Sequence, residues 1–164
     1  MKTENQQSII LSNLGIDALN KMQFEAQRTI LSKKNTVLLS PTGSGKTLAF
    51  LLPILQMLSE DVKTVQCLVI VPSRELALQI EQVWKKMSTN FKVNVCYGGH
   101  SIETELNNLS NPPALLIGTP GRLTDHLERE SFKTDDIKIL VLDEFDKSLQ
   151  LGFLEEMNAI ISEL

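Results

Sequence analysis

Apolar positions along the chain fall into short blocks whose period switches between that of a strand and that of a helix. Val37, Leu38 and Leu39 form a first apolar run, Cys67–Val71 a second, Lys92–Tyr97 a third, Ala114–Ile117 a fourth and Ile137–Leu142 a fifth. Runs without alternation, such as Cys67 to Val71, mark strands covered on both faces. Between them the spacing turns helical. Ser8–Asn20 carries Ile9, Ile10, Leu14 and Leu19, predicting one or two short helices broken at Gly15. Met22–Lys34 places Met22, Ala26, Ile30 and Leu31 on one side and ends in the polar turn Ser32–Asn35. A helix beginning near Lys46 carries Leu48, Phe50, Leu51 and Leu52, and Ser59–Thr64 is a charged loop. Leu76, Ile80, Val83 and Met87 recur as one buried stripe. Further helices are predicted over 102–109 and 122–129, and a last one carries Leu154, Met157, Ile160 and Ile161. Five strands alternating with helices predict βαβ crossovers: an α/β fold with a mostly parallel sheet and helices on both faces. Ligands of such sheets sit at the carboxyl ends of the strands.

The first of those strand ends carries the most specific chemistry. Ser40, Pro41, Thr42, Gly43, Ser44, Gly45, Lys46 and Thr47 follow the apolar run and lead into a helix, with the spacing of a phosphate-binding P-loop. Gly43 and Gly45 let the backbone approach phosphates, and successive N–H groups at a helix N-terminus favour an anion. Lys46 suits the β- and γ-phosphates, and the Thr47 hydroxyl suits Mg²⁺. The fifth run ends in Asp143-Glu144-Phe145-Asp146. Asp143, leaving a buried strand, would present a carboxylate to the P-loop metal. Glu144 could orient or deprotonate an attacking water. The pair of motifs favours nucleoside triphosphate hydrolysis over binding alone.

Composition narrows the picture without deciding it. The 164 residues suffice for one domain with a buried core. A net charge of −4 argues against a broad basic nucleic-acid face. It leaves room for a nucleic acid held by backbone amides, helix N-termini and a few arginines. No apolar run has the ~20 residues of a membrane span, and the N-terminus lacks the apolar core of a secretory signal, so a cytoplasmic location is expected. Cys67 and Cys96 lie in apolar runs and read as buried, reduced thiols. His100 and His126 have no ligand-spaced neighbours in sequence, and no metal site is assigned to them.

Taken in order, the motifs resemble those of the DEAD-box RNA helicases. The P-loop string is similar to the family's first motif, Pro72-Ser73-Arg74-Glu75-Leu76-Ala77 to its PTRELA, Gly98-Gly99 to its double glycine, and Thr119-Pro120-Gly121-Arg122 to its TPGR. Asp143–Asp146 resembles DEAD, and Leu151-Gly152-Phe153 matches a common downstream string. The resemblance implies a RecA-like P-loop NTPase domain using ATP and Mg²⁺. It implies Lys46, Asp143 and Glu144 as catalytic, Thr47 and Asp143 on the metal, and Asp146 in coupling to a Ser-Ala-Thr motif. Pro72, Ser73, Arg74, Gly99, Thr119, Gly121 and Arg122 would form an RNA face. The family reads adenine with a glutamine about 23 residues before the P-loop lysine, which is Gln23, with Gln27 the competitor. On this basis residues 1–35 form an adenine-reading helical segment and 36–164 a RecA-like ATP-binding domain. The whole implies the ATP-binding half of an RNA helicase. Alternatives are another P-loop motor acting on DNA and a non-catalytic RNA-binding module. Intramolecular pairs of Arg74 or Arg122 with an acid such as Glu75 or Glu144 compete with the RNA assignment.

The sequence also departs from the family pattern. Phe145 stands where the family has Ala, and burial of its ring is expected. Leu19 and Asn20 replace the prolyl-threonyl pair, and no upstream aromatic is present to stack on adenine, which implies low adenine affinity. No Ser-Ala-Thr motif or second RecA-like domain follows Leu164. The family's strand between the P-loop strand and the acidic strand is therefore expected to be missing. Either the sheet closes across that gap or copies exchange strands.

Overall fold

The protein is described by a computed structural model that covers residues 2–32, 35–99 and 101–164. The expected helix end at Lys34, the lysines of the polar turn after Ser32, and His100 lie outside the described residues. In chain order the elements are α1 (Lys2–Leu14), α2 (Lys21–Leu31), α3 (Lys46–Met57), β1 (Cys67–Ile70), α4 (Arg74–Lys86), β2 (Val93–Cys96), α5 (Ile102–Leu109), β3 (Leu115–Gly118), α6 (Pro120–Glu128), β4 (Ile139–Leu142), α7 (Phe145–Gln150) and α8 (Leu154–Ser162). The chain divides into two compact units. One comprises Met1–Leu58 with Gln82–Thr89, the other Ser59–Glu81 with Asn90–Leu164. Each is described by itself.

The second unit holds a parallel four-stranded sheet in the order β2-β3-β1-β4. Leu68 lies level with Leu116 and Leu140, and Ile70 with Gly118 and Leu142. Because side chains alternate across a strand, Leu68, Ile70, Cys96 and Leu116 share one face. There they form a core with Leu109 of α5, Leu123 of α6, and Met157 and Ile160 of α8. Cys67, Val69, Leu115 and Ile117 occupy the opposite face and are equally buried. This two-sided burial is why the runs read as continuously apolar. Gly118 is obligatory for the crossover into α6: a Cβ there would lie 2.7 Å from Leu123 Cγ and 2.8 Å from the Cys96 carbonyl.

The first unit is helical. Asn20 caps α2, α2 packs on α3, and the eight residues Leu48–Leu55 of α3 are all buried. The strand expected at Val37–Leu39 does not form. These residues pair with no strand, and Val37 and Leu39 are 86% and 90% exposed. Among the described residues β4 pairs with β1. Three apolar residues without a paired strand do not hold one alone.

Other local departures have similarly plain causes. Gly15, at φ +67°, ends α1, and the chain reaches Asn20 without a second helix. The buried stripe of α4 is Ala77, Ile80 and Trp84, continued by Met87 just past its end, with Leu76 and Val83 only half-buried. Gly152, at φ +89°, separates α7 from α8. Phe145 is 42% exposed, not buried. The residue of α7 that turns inward is Ser148, while Phe145 and Leu149, one turn apart, share the exposed side.

Candidate functional site

In the first unit the P-loop and the start of α2 are joined by side-chain amides. Asn20 Oδ1 accepts the Gln23 N–H at 2.9 Å and Gln23 Oε1 accepts the Asn20 N–H at 3.0 Å, a reciprocal capping box. The same two side chains reach the loop. Gln23 Nε2 donates to the Gly45 carbonyl at 3.2 Å, and Asn20 Nδ2 donates to the Ser44 carbonyl at 3.1 Å. Gly45 adopts φ +86°, and a Cβ at this position would run into Gln23 Nε2. Gln23 is buried against the P-loop, whereas Gln27 Nε2 turns to Gln7 Oε1 at 3.1 Å. Each end of the Gln23 amide retains one unused hydrogen-bonding valence by its chemistry.

Lys46 opens α3 and its ammonium folds back onto the loop, donating to the carbonyls of Ser40 at 2.7 Å and Pro41 at 2.9 Å. Ser44 Oγ is buried without a hydrogen-bond partner. An orphaned hydroxyl, a lysine neutralising only carbonyl oxygens, and a loop that tolerates no Cβ at Gly45 together fit a phosphate chain. Sequence reasoning missed Asn20, which it met only as a departure from a motif. The N-x-x-Q spacing of Asn20 and Gln23, a capping-box signature, was the available signal.

In the second unit the turns that leave β1, β2, β3 and β4 all lie at the carboxyl edge of the sheet. Ser73 Oγ accepts the Leu76 N–H at 3.2 Å and caps α4 beside Pro72. Arg74 Nη1 lies 3.9 Å from the position a Cβ of Gly99 would take, so the turns after β1 and β2 adjoin. Thr119 donates its N–H to the Cys96 carbonyl at 3.0 Å and precedes α6, whose first residue is Pro120. Gly121, one residue on, is exposed. The Arg122 side chain is 13% exposed, with Nε 3.5 Å from Glu105 Oε2 and Nη1 3.6 Å from Asp125 Oδ2. Its acidic neighbours include Glu105 and Asp125, an intramolecular pairing of the kind that competes with the RNA assignment. The hydrogen bond from Arg129, at 2.7 Å, is the main cause holding the Asp125 carboxyl below its usual range.

After β4, the Asp143 N–H donates to the Ile70 carbonyl at 3.0 Å and Asp143 Oδ1 accepts the Glu144 N–H at 3.1 Å. Glu144 is left-handed, at φ 50° and ψ 44°, and starts α7. Such a conformation costs a non-glycine residue about 1–3 kcal/mol and concentrates at functional sites. Glu144 Oε2 accepts from Lys147 Nζ at 2.8 Å, which raises the lysine's pKa. Asp146 is exposed. Lys147 carried no signal beyond an i,i+3 spacing from an acid.

Beneath these turns Cys96, Glu105 and His126 bring one donor atom each within 4.8 Å of one another, all three buried. Glu105 already accepts the Tyr97 N–H at 3.1 Å and meets His126 Nε2 at 2.6 Å. With the Arg122 guanidinium at hand as well, the carboxylate has its counter-charge, and no cation site is assigned. Burial, with the Glu105 charge second and Arg122 opposing, pushes the Cys96 thiol up to about 12. Burial alone pushes Cys67 higher still.

Residues 20–164 match the DEAD/DEAH box helicase family. The chain belongs to that family. It is 38% identical to the ATP-dependent RNA helicase DeaD of Escherichia coli (strain K12) over 157 residues, covering 94% of this chain and 25% of the relative. It is 38% identical to the ATP-dependent RNA helicase CshA of Limosilactobacillus reuteri over 151 residues, 91% of this chain and 30% of the relative. With the DEAD-box ATP-dependent RNA helicase CshA of Streptococcus pneumoniae serotype 4 it shares 43% identity over 154 residues, 93% of this chain and 29% of the relative. The chain thus spans between a quarter and a third of the length of these relatives. For a DEAD/DEAH box domain the four-stranded parallel sheet with its helices is the α/β, RecA-like fold, and among the described residues no helix is long and apolar enough to cross a membrane.

Proposed function

We propose that this chain is the ATP-binding half of an ATP-dependent RNA helicase, which couples ATP hydrolysis to RNA binding and local duplex unwinding in the cytoplasm. The observation that carries the reading is the joint between Gln23 and the P-loop at Gly45. An amide of the kind that pairs with adenine N6 and N7, hydrogen-bonded to a glycine-rich loop, supports this reading. Residues 1–35 act as the adenine-reading segment and 36–164 as the nucleotide-binding domain. Lys46 and the loop Ser40–Thr47 would hold the phosphates, and Thr47 and Asp143 are each assigned as ligands that would hold Mg²⁺. When bound, Mg-ATP supplies the phosphoryl group whose transfer to water drives the cycle. Glu144 orients that water, its backbone held in the left-handed region. Asp146 links the acidic turn to the rest of the helicase. Pro72, Ser73, Arg74, Gly99, Thr119, Gly121 and Arg122 contact the RNA backbone, since helix N-termini and arginines recognise phosphates without reading sequence. Full turnover needs groups from a second RecA-like domain, so the isolated chain hydrolyses ATP very slowly.

Calorimetric titration with Mg-ADP and Mg-GDP side by side tests this reading. The expected result is binding of ADP with little or none of GDP, and loss of ADP binding in Lys46→Ala. Equal binding of both nucleotides would remove Gln23 as the adenine reader and favour a P-loop motor of another kind.

A further inference from the structure

Glu105 is a charged residue in the wrong place for a surface helix. It lies in α5 between exposed Thr104 and Leu106, yet is 1% exposed. A buried carboxylate is costly unless its oxygens are met, and three groups from two segments meet these. The Tyr97 N–H, at the last residue before the Gly98-Gly99 turn, donates to Oε1 at 3.1 Å. His126 Nε2, two turns into α6, meets Oε2 at 2.6 Å. The Arg122 guanidinium, in the first turn of α6, lies 3.5 Å from the same oxygen. Since a carboxylate only accepts, His126 Nε2 is the donor in this contact, and Nδ1 is buried without a partner.

We propose that Glu105 is the positioning residue of the nucleic-acid face. One buried carboxylate ties the turn after β2 to the first two turns of α6 and holds the Arg122 guanidinium where a phosphate can reach it. The inference rests on the RNA reading of that face and deepens it. Glu105 itself touches no RNA. Its charge sets the direction of Arg122, and its hydrogen bond to Tyr97 sets the height of Gly98-Gly99 relative to Thr119–Arg122. Removing it leaves Arg122 present but unaimed.

The test uses the 164-residue chain and a fluorescein-labelled single-stranded oligouridylate, titrated by anisotropy at several KCl concentrations. Arg122→Ala should weaken binding several-fold and make the salt slope shallower by about 0.7, the value of one single-strand phosphate contact. Glu105→Ala should weaken binding to a similar extent with the same change in slope, and the double variant should lose no more than either single one. Glu105→Gln keeps an acceptor for the Tyr97 N–H but loses the charge on Arg122, so it should fall between parent and Arg122→Ala. It carries the test if the alanine variant does not fold. The Arg122 Nε–H resonance gives a readout without RNA: it should be resolved in the parent and averaged with the other arginines in Glu105→Gln. Parent-like affinity and slope in Glu105→Gln, with Arg122→Ala impaired, would overturn the positioning role and leave the RNA reading standing. Losses that multiply in the double variant would overturn it as well. RNA binding untouched by Arg122→Ala, or absent from the parent, would overturn the RNA reading of this face and the proposal with it.

Discussion

The two units of this chain answer the same kind of sequence signal differently. In the sheet unit, Cys67–Ile70, Leu115–Gly118 and Ile139–Leu142 are short apolar runs, and each becomes a strand because a parallel neighbour takes up its amides. In the P-loop unit, Val37–Leu39 is an equally apolar run ahead of an equally specific turn, and it stays outside any strand with Val37 and Leu39 exposed. The turn itself does not depend on that strand. Asn20, Gln23 and Lys46 hold it from within the unit through carbonyls of Ser40, Pro41, Ser44 and Gly45. Strand formation is thus a property of neighbours, whereas the phosphate loop is a property of local hydrogen bonds and glycine geometry.

The largest effect separating the units should come from alkali. Both thiols belong to the sheet unit and both titrate above the ordinary value of 9.0 in the folded chain. A raised folded pKa means that the stabilisation is complete below about pH 9 and is lost as pH rises further, because only the unfolded chain then releases the protons. Stability should therefore fall above about pH 9 by roughly 1 kcal/mol per pH unit and thiol. Urea unfolding at pH 8, 9 and 10 would show it, and Cys67→Ala with Cys96→Ala should flatten the profile. A flat profile in the parent would mean the thiols are not sealed within the sheet.

Gly118→Ala should come next. Its Cβ meets Leu123 and the Cys96 carbonyl, and overpacking of this kind costs about 1–3 kcal/mol. Denaturant midpoints measure it, and Leu123→Ala in the same chain should recover part of the loss by making room. Asn20→Ala is the counterpart in the P-loop unit. Loss of an N-cap costs about 1 kcal/mol, and here the tie to Ser44 goes with it, so Mg-ADP affinity should drop alongside stability. A stability loss with unchanged ADP affinity would show that the cap and the loop are independent.

The smallest effect should be Phe145→Ala, within about 0.5 kcal/mol, as for exposed positions generally. A loss of about 3–5 kcal/mol, the scale for a core phenylalanine, would restore the buried ring that the neighbouring motif suggests.

Much of this was legible beforehand. The helix beginning at Lys46, the four strands of the sheet unit and the turns at their carboxyl ends follow from period, glycine placement and strand-end polarity. Gln23 was legible only through a family resemblance, and Asn20 was underestimated because a missing motif drew more notice than a capping box. Glu105 and His126 were not legible as a pair. They lie on different helices, and nothing in either local pattern marks a helix glutamate between exposed neighbours as buried. Cys96 was legible as a buried thiol, while its charged neighbours, Glu105 and Arg122, come from elsewhere in the chain.

What the sequence determined by itself is therefore the local chemistry: a glycine-rich loop with its lysine, acids at a strand end, helix starts beside Pro72 and at Pro120. These depend on backbone geometry and on side chains within a few residues, which the chain carries wherever it goes. Tertiary structure decided which apolar runs became strands, which ring stayed exposed and which carboxylate was buried beneath Arg122. Those outcomes depend on partners distant in sequence, because amides, rings and charges are satisfied in space.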